Sequence, residues 1–107
     1  MAAKAGVARP RARLDVEEAI DYLLCEAGDG VALAFADALQ STYDLIAAFP
    51  DSGSNRYAHE LALPGLRTRK LTGYPYLVFY LEHRDYVEGW RVLHAQRDIP
   101  RRMEAAD

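Results

Sequence analysis

The sequence predicts an α+β fold: a short N-terminal strand, an antiparallel helical hairpin packed on a three- to four-stranded antiparallel sheet, and a short C-terminal helix or turn. Three observations carry this. Two consecutive stretches, Pro10 to about Leu24 and about Val31 to Ala48, repeat apolar side chains every three or four residues, the period of an amphipathic helix. Leu63 to Asp98 instead holds three short β-rich runs broken by turn residues. The link between the helices, Gly28-Asp29-Gly30, is three residues, so they fold back on each other. Each has one apolar stripe, and two stripes cannot cover each other fully, so both must share a sheet.

Along the chain, Ala5-Gly6-Val7-Ala8 is a candidate short strand. Pro10 suits the first turn of a helix, where its missing N–H costs nothing. Ala12, Val16, Ala19, Ile20, Leu23 and Leu24 form the stripe of that helix, with Asp15, Glu17, Glu18 and Asp21 in its early turns. Gly28-Asp29-Gly30 ends it, a C-cap glycine followed by a possible N-cap aspartate. The second stripe is Val31, Phe35, Ala38, Leu39, Thr42, Ile46 and Phe49, stopped at Phe49-Pro50 because the residue before proline is pushed out of the helical region. Residues 50–55 are a turn cluster, and Tyr57 to Leu63 reads as an irregular approach to the sheet. The strands are then Leu66 to Leu71, Tyr74 to Leu81 and Tyr86 to His94.

A turn centred on His83-Arg84 would pair Leu81 with Tyr86, Phe79 with Glu88 and Leu77 with Trp90 on one face. Tyr80, Val78 and Tyr76 would then meet Val87, Gly89 and Arg91 on the other. Both faces are apolar, whereas a sheet open to water on one side alternates cleanly. Two helices cover one face, so the other is expected to be completed by a second protein.

With 107 residues, half of them hydrophobic and 27% charged, the chain reads as a single domain spanning residues 1–107 with a core of its own. One cysteine, Cys25, excludes an internal disulfide and points to a reducing, cytoplasmic location. No apolar run approaches the roughly 20 residues of a membrane span, and no apolar segment follows the N-terminal basic residues as a secretory signal requires. Residues 14–55 carry acids (Asp15, Glu17, Glu18, Asp21, Glu26, Asp29, Asp37, Asp44, Asp51) and no base. Residues 1–13 carry four bases and no acid, and residues 56–107 carry nine bases against seven acids, so the sheet is mildly basic. A net charge of −3 and a pI near 5.6 argue against autonomous nucleic-acid binding.

The order Ala12 and Asp15, Glu18-Ala19-Ile20-Asp21-Tyr22-Leu23, Phe49-Pro50, Gly53-Ser54, Leu63-Pro64-Gly65-Leu66-Arg67, Tyr74-Pro75-Tyr76-Leu77-Val78-Phe79-Tyr80, Arg91-Val92-Leu93-His94 and Arg97-Asp98-Ile99-Pro100 resembles the ParE-type toxins of the RelE/ParE toxin–antitoxin (plasmid stabilisation) superfamily. The resemblance implies a toxin of a type II system, neutralised in a hetero-oligomer by a ParD-like antitoxin, with operator DNA reached only through the antitoxin and no membrane partner. ParE-type relatives block DNA gyrase without catalysis. RelE-type relatives are ribosome-dependent mRNA endoribonucleases, and fold alone does not separate the two.

Under the gyrase reading no catalytic residue is expected. Tyr22, Leu23, Tyr76, Val78, Tyr80 and Trp90 are the candidate antitoxin contacts, Trp90 with a core role as its alternative. Arg67, Arg69, Arg91, His94 and Arg97 are cations for the target or for structure. The ribonuclease alternative would use the arginines against a phosphorane and His94 as acid or base; two lysines in the whole chain and the negative net charge weigh against it. Arg67 and Arg91 have helix acids as an alternative destination, and Arg97 has Asp98. His59, His83 and His94 lack metal-ligand spacing, so neither a metal nor another cofactor is expected. Ser52 and Ser54 lack a histidine–acid context for nucleophilic catalysis.

Overall fold

The computed structural model describes residues 3–96. Arg97 and the expected C-terminal helix or turn beyond it lie outside the described residues. The elements are β1 (Ala5–Ala8), α1 (Pro10–Ala27), α2 (Asp29–Ala48), a 3-10 turn (Pro50–Ser52), α3 (Arg56–Glu60), β2 (Leu66–Lys70), β3 (Tyr76–Glu82) and β4 (Tyr86–His94). The sheet order is β1-β4-β3-β2. β2, β3 and β4 are antiparallel, as expected. β1 instead runs parallel to β4, so the sheet is mixed. A parallel pairing is open to β1 because most of the chain, both long helices included, separates it from β4.

Pro10 opens α1, and Gly28, at φ 90°, closes it while standing directly before α2. The link is therefore a single glycine rather than three residues. Its left-handed conformation is one that a side chain would strain. Phe49 stops α2, its N–H still donating to the Leu45 carbonyl at 2.8 Å.

Two apolar clusters sit on opposite faces of the sheet. Phe35, Leu39 and Ile46 of α2 and Ala19 of α1 pack on Tyr76, Val78, Tyr80, Val87 and Val92. Phe35 meets the Tyr76 ring edge-on at 5.1 Å. At the ends of the α2 stripe the sequence reading fails, since Val31 and Phe49 are exposed and Ala32 is buried instead. On the opposite face, Leu66, Phe79 and Leu93 are covered by Tyr57, Ala58, Leu61 and Leu63. The segment expected to be irregular folds as α3 and a turn, with Ala62 at φ 53°, and lays its own apolar residues on the face assigned to a second protein. That expectation is corrected over this cluster.

The β3–β4 register also differs from the expected one. His83 N–H donates to the Tyr86 carbonyl at 2.8 Å, so Arg84 and Asp85 form the loop and the turn is centred one residue later. Tyr80 opposes Gly89 but Phe79 opposes Arg91, a bulge that inserts one extra residue into β4. The bulge breaks alternation, and Arg91 and Val92 both engage the helix side, one through Asp15 and the other in the core.

Candidate protein-binding surface

Of the six candidate antitoxin contacts, Tyr76, Val78 and Tyr80 are buried, Val78 and Tyr80 completely. They share one face, as alternation expects, but it is the face the helical hairpin covers. They are core residues in this fold, and their assignment to a partner is corrected. Leu23 is half-buried against the same core. Tyr22 stands 54% exposed on α1. Trp90 is half-buried on the second face, with the Arg9 guanidinium 4.1 Å from its ring centroid.

The described cations, Arg67, Arg69, Arg91 and His94, each contact another part of the chain, Arg69 in an exposed contact. Arg91 is 1% exposed; its Nε donates to Asp15 Oδ2 at 2.7 Å and its Nη2 to Asp15 Oδ1 at 2.9 Å. The Val92 N–H also donates to Asp15 Oδ2, at 3.0 Å. Asp15 thus ties α1 to the bulge in β4. Its 1% side-chain exposure leaves no room for solvent to screen the pair. Arg67 donates to the Gly53 carbonyl at 2.8 Å rather than to a helix acid, and Arg69 donates to Ser52 Oγ at 2.9 Å. His94 packs edge-on against Tyr76 at 5.2 Å, and its Nδ1 accepts from the Gln96 N–H.

The Arg67 and Arg69 contacts belong to a polar knot around Tyr80. Its hydroxyl donates to the Pro50 carbonyl at 2.7 Å and accepts from the Gly53 N–H at 3.0 Å. Burial pushes the Tyr80 hydroxyl pKa up, against the opposing pull of the Gly53 amide and the arginines. Gly53 has no room for a side chain, since a Cβ there would overlap the Tyr80 hydroxyl and lie 3.0 Å from the Thr68 carbonyl. The Ser54–Thr68 bridge then covers the outer edge of β2.

The open surface lies elsewhere. β1 is an exposed edge strand, and a cleft of about 530 Å³ separates it from α2, lined by Gly6, Val7, Ala8, Tyr43, Asp44 and Ala47. Along the hairpin an apolar groove of about 340 Å³ runs between Ile20 and Leu24 of α1 and Ala32, Leu33 and Ala36 of α2. Leu33 is 68% exposed. The sequence reading missed Leu33; it offered Arg91 a helix acid without saying which, and that acid is Asp15. Asp15 had a usable signal, an acid at a core position of the stripe Ala12, Asp15, Val16, Ala19. Leu33 had none, because its exposure follows from how the two helices meet.

Among the described residues, no group of three His, Cys, Asp or Glu side chains could hold a metal ion, and no helix is long and apolar enough to cross a membrane. No curated protein matches the sequence. A sequence model of the family described as ParE toxin of type II toxin–antitoxin system, parDE, matches residues 7–99. The chain belongs to that family. The ParE fold is also seen in a solved structure titled "Chromosomal ParDE TA system from P. aeruginosa", which aligns over 87% of this chain and 97% of that one with a TM-score of 0.73. At 16% identity that likeness concerns the fold alone. This ParE-family chain is therefore a toxin of a type II toxin–antitoxin system, and that system implies a ParD antitoxin as its partner.

Proposed function

We propose that this ParE toxin acts by binding a protein target, DNA gyrase, and not by cutting RNA, and that a ParD-like antitoxin neutralises it in a cytoplasmic hetero-oligomer. The observation that carries the reading is the fate of the cations. An RNA-cleaving site needs cations facing a phosphate and a proton donor beside them. Here Arg91 is buried against Asp15, Arg67 is spent on the Gly53 carbonyl and Arg69 on Ser52. His94 lies against Tyr76. The helices offer water an acidic surface that a ribosomal RNA would be repelled by. Operator DNA would be reached through the antitoxin for the same reason.

The test is a pair of assays on the purified chain. Gyrase supercoiling should be inhibited, and mRNA on programmed ribosomes should stay intact. Ribosome-dependent cleavage that disappears in His94→Ala, with supercoiling unaffected, would overturn the reading in favour of the endoribonuclease.

A further inference from the structure

The edge strand β1 is held on one side only. Arg9 N–H donates to the Gly89 carbonyl of β4 at 2.9 Å, whereas Lys4 N–H turns the other way, to the Ala47 carbonyl of α2 at 3.1 Å. Backbone groups alternate along a strand, so those of Ala5 and Val7 face β4 and those of Gly6 and Ala8 face outward. Among the described residues the outward groups of Gly6 and Ala8 meet no other backbone partner. They open on the cleft of about 530 Å³ between β1 and α2. Within Ala5-Gly6-Val7-Ala8 there is no charge and no proline, two of the devices that close a sheet edge to pairing. We propose that this edge receives an extended segment of the target protein, added to the four-stranded sheet as a fifth strand, with a lysine or arginine directed at Asp44. The identity of the partner rests on the gyrase reading.

Backbone, space and charge select that occupant. Outward N–H and C=O groups are answered by another extended backbone, whereas a helix has already used its own. Gly6 and Ala8 lie beside Val87 and Gly89, on the helix side of the sheet. Alternate residues of the added strand would therefore project over α2, toward Tyr43, Asp44 and Ala47. There is room for them, since even a Cβ on Gly6 would meet nothing within 4 Å. The Tyr43 hydroxyl makes no hydrogen bond among the described residues, and burial keeps it protonated as a donor. Lys4 is committed to Glu82 at 2.7 Å and to the His83 carbonyl, so the exposed Asp44, which accepts from Gln40 at 2.9 Å, sets the sign of the cleft. A second copy pairing antiparallel about Val7 would set Arg9 of each chain beside Lys4 of the other, like against like. A toxin that holds its target without catalysis needs groups still open to a partner. Arg67, Arg69 and Arg91 are engaged within the chain, and the β1 edge is open.

The test uses the full chain and purified gyrase. Gly6→Pro removes an outward N–H that β4 does not use, so the sheet should survive while the ring blocks the edge. Asp44→Lys reverses the charge of the cleft without touching the strand. In biolayer interferometry gyrase should bind the wild type, and each variant should lose about tenfold or more in affinity. Glu60→Ala, on α3, should bind as the wild type does, and circular dichroism checks that every variant is folded. Hydrogen exchange, read by NMR on the unmutated chain, gives a second measurement. In the free chain the Gly6 and Ala8 amides should exchange fast and those of Val7 and Arg9 slowly, and gyrase should slow Gly6 and Ala8. If Gly6→Pro does not fold, Asp44→Lys and the exchange pattern decide. Full-strength binding by either folded variant, Gly6 and Ala8 amides left unprotected by gyrase, their protection by the antitoxin in place of gyrase, or self-association of the wild type through β1 would overturn the proposal. A wild type that binds no gyrase would refute the gyrase reading and this partner together. Gyrase binding that the variants leave intact would refute the β1 edge alone, and the gyrase reading would stand.

Discussion

The pair Asp15–Arg91 gives the sharpest test of how the fold is held. Asp15→Ala removes the carboxylate from a guanidinium that is 1% exposed and also takes the acceptor of the Val92 N–H. Breaking one side of a buried pair costs about 3–5 kcal/mol, against a total of about 5–15 kcal/mol for a domain. At about 4–8 °C per kcal/mol for a chain near this size, the melting temperature should fall by upwards of about 12 °C. A smaller cost is expected when both charges go. Asp15→Leu with Arg91→Met removes the desolvation cost of both ions; the Val92 amide loses its acceptor, about 1–3 kcal/mol, and the half-exposed Arg11 loses its 3.8 Å contact with Asp15. The double variant should therefore be more stable than Asp15→Ala. Urea denaturation of the wild type, the single variants and the double variant measures this. An Asp15→Ala cost below about 1 kcal/mol, or a double variant less stable than the single, would refute the reasoning that this pair is desolvated and holds α1 to the β4 bulge.

The Tyr80 knot predicts a coupling. Gly53→Ala has an ordinary backbone, φ −77°, so its cost is steric and about 1–3 kcal/mol. In a Tyr80→Phe background, where the overlapping hydroxyl is gone, the urea-derived cost of Gly53→Ala should shrink. Tyr80→Phe alone should cost about 1–3 kcal/mol, since the Pro50 carbonyl and Gly53 N–H lose their partner. Thr68 Oγ1 is buried with no hydrogen-bond partner among the described residues, so Thr68→Val, close in shape, should be neutral or raise the melting temperature. Burial and, next, the charge of Asp15 push the Tyr43 hydroxyl from 10.0 up to about 12. The folded protein keeps that proton where the unfolded chain releases it, so the stability it contributes is present below pH 10 and is lost as pH rises toward 12. The urea midpoint should fall through that window, and less steeply in Tyr43→Phe.

The helical hairpin was legible because its evidence is local. A 3.6-residue period, Pro10, Gly28 and Phe49-Pro50 are enough to start and stop two helices without reference to the rest of the chain. The strand limits were nearly as legible, Tyr86–His94 to the residue. The hidden parts all depend on residues distant in sequence. Alternation puts Tyr76, Val78 and Tyr80 on one face but does not tell which face the helices choose, so the sequence leaves these three core residues open to a partner. The bulge at Arg91 shows in no local pattern, since it appears only when β3 and β4 are laid side by side and Asp15 draws both Arg91 and the Val92 amide. The family and the two apolar stripes were therefore determined by the sequence itself, because each follows from the order and spacing of residues. Which arginines remain for a partner, which face of the sheet is closed by residues 57–63, and where the edge of β1 opens on a cleft were decided only by tertiary packing, because burial is a property of distant segments meeting.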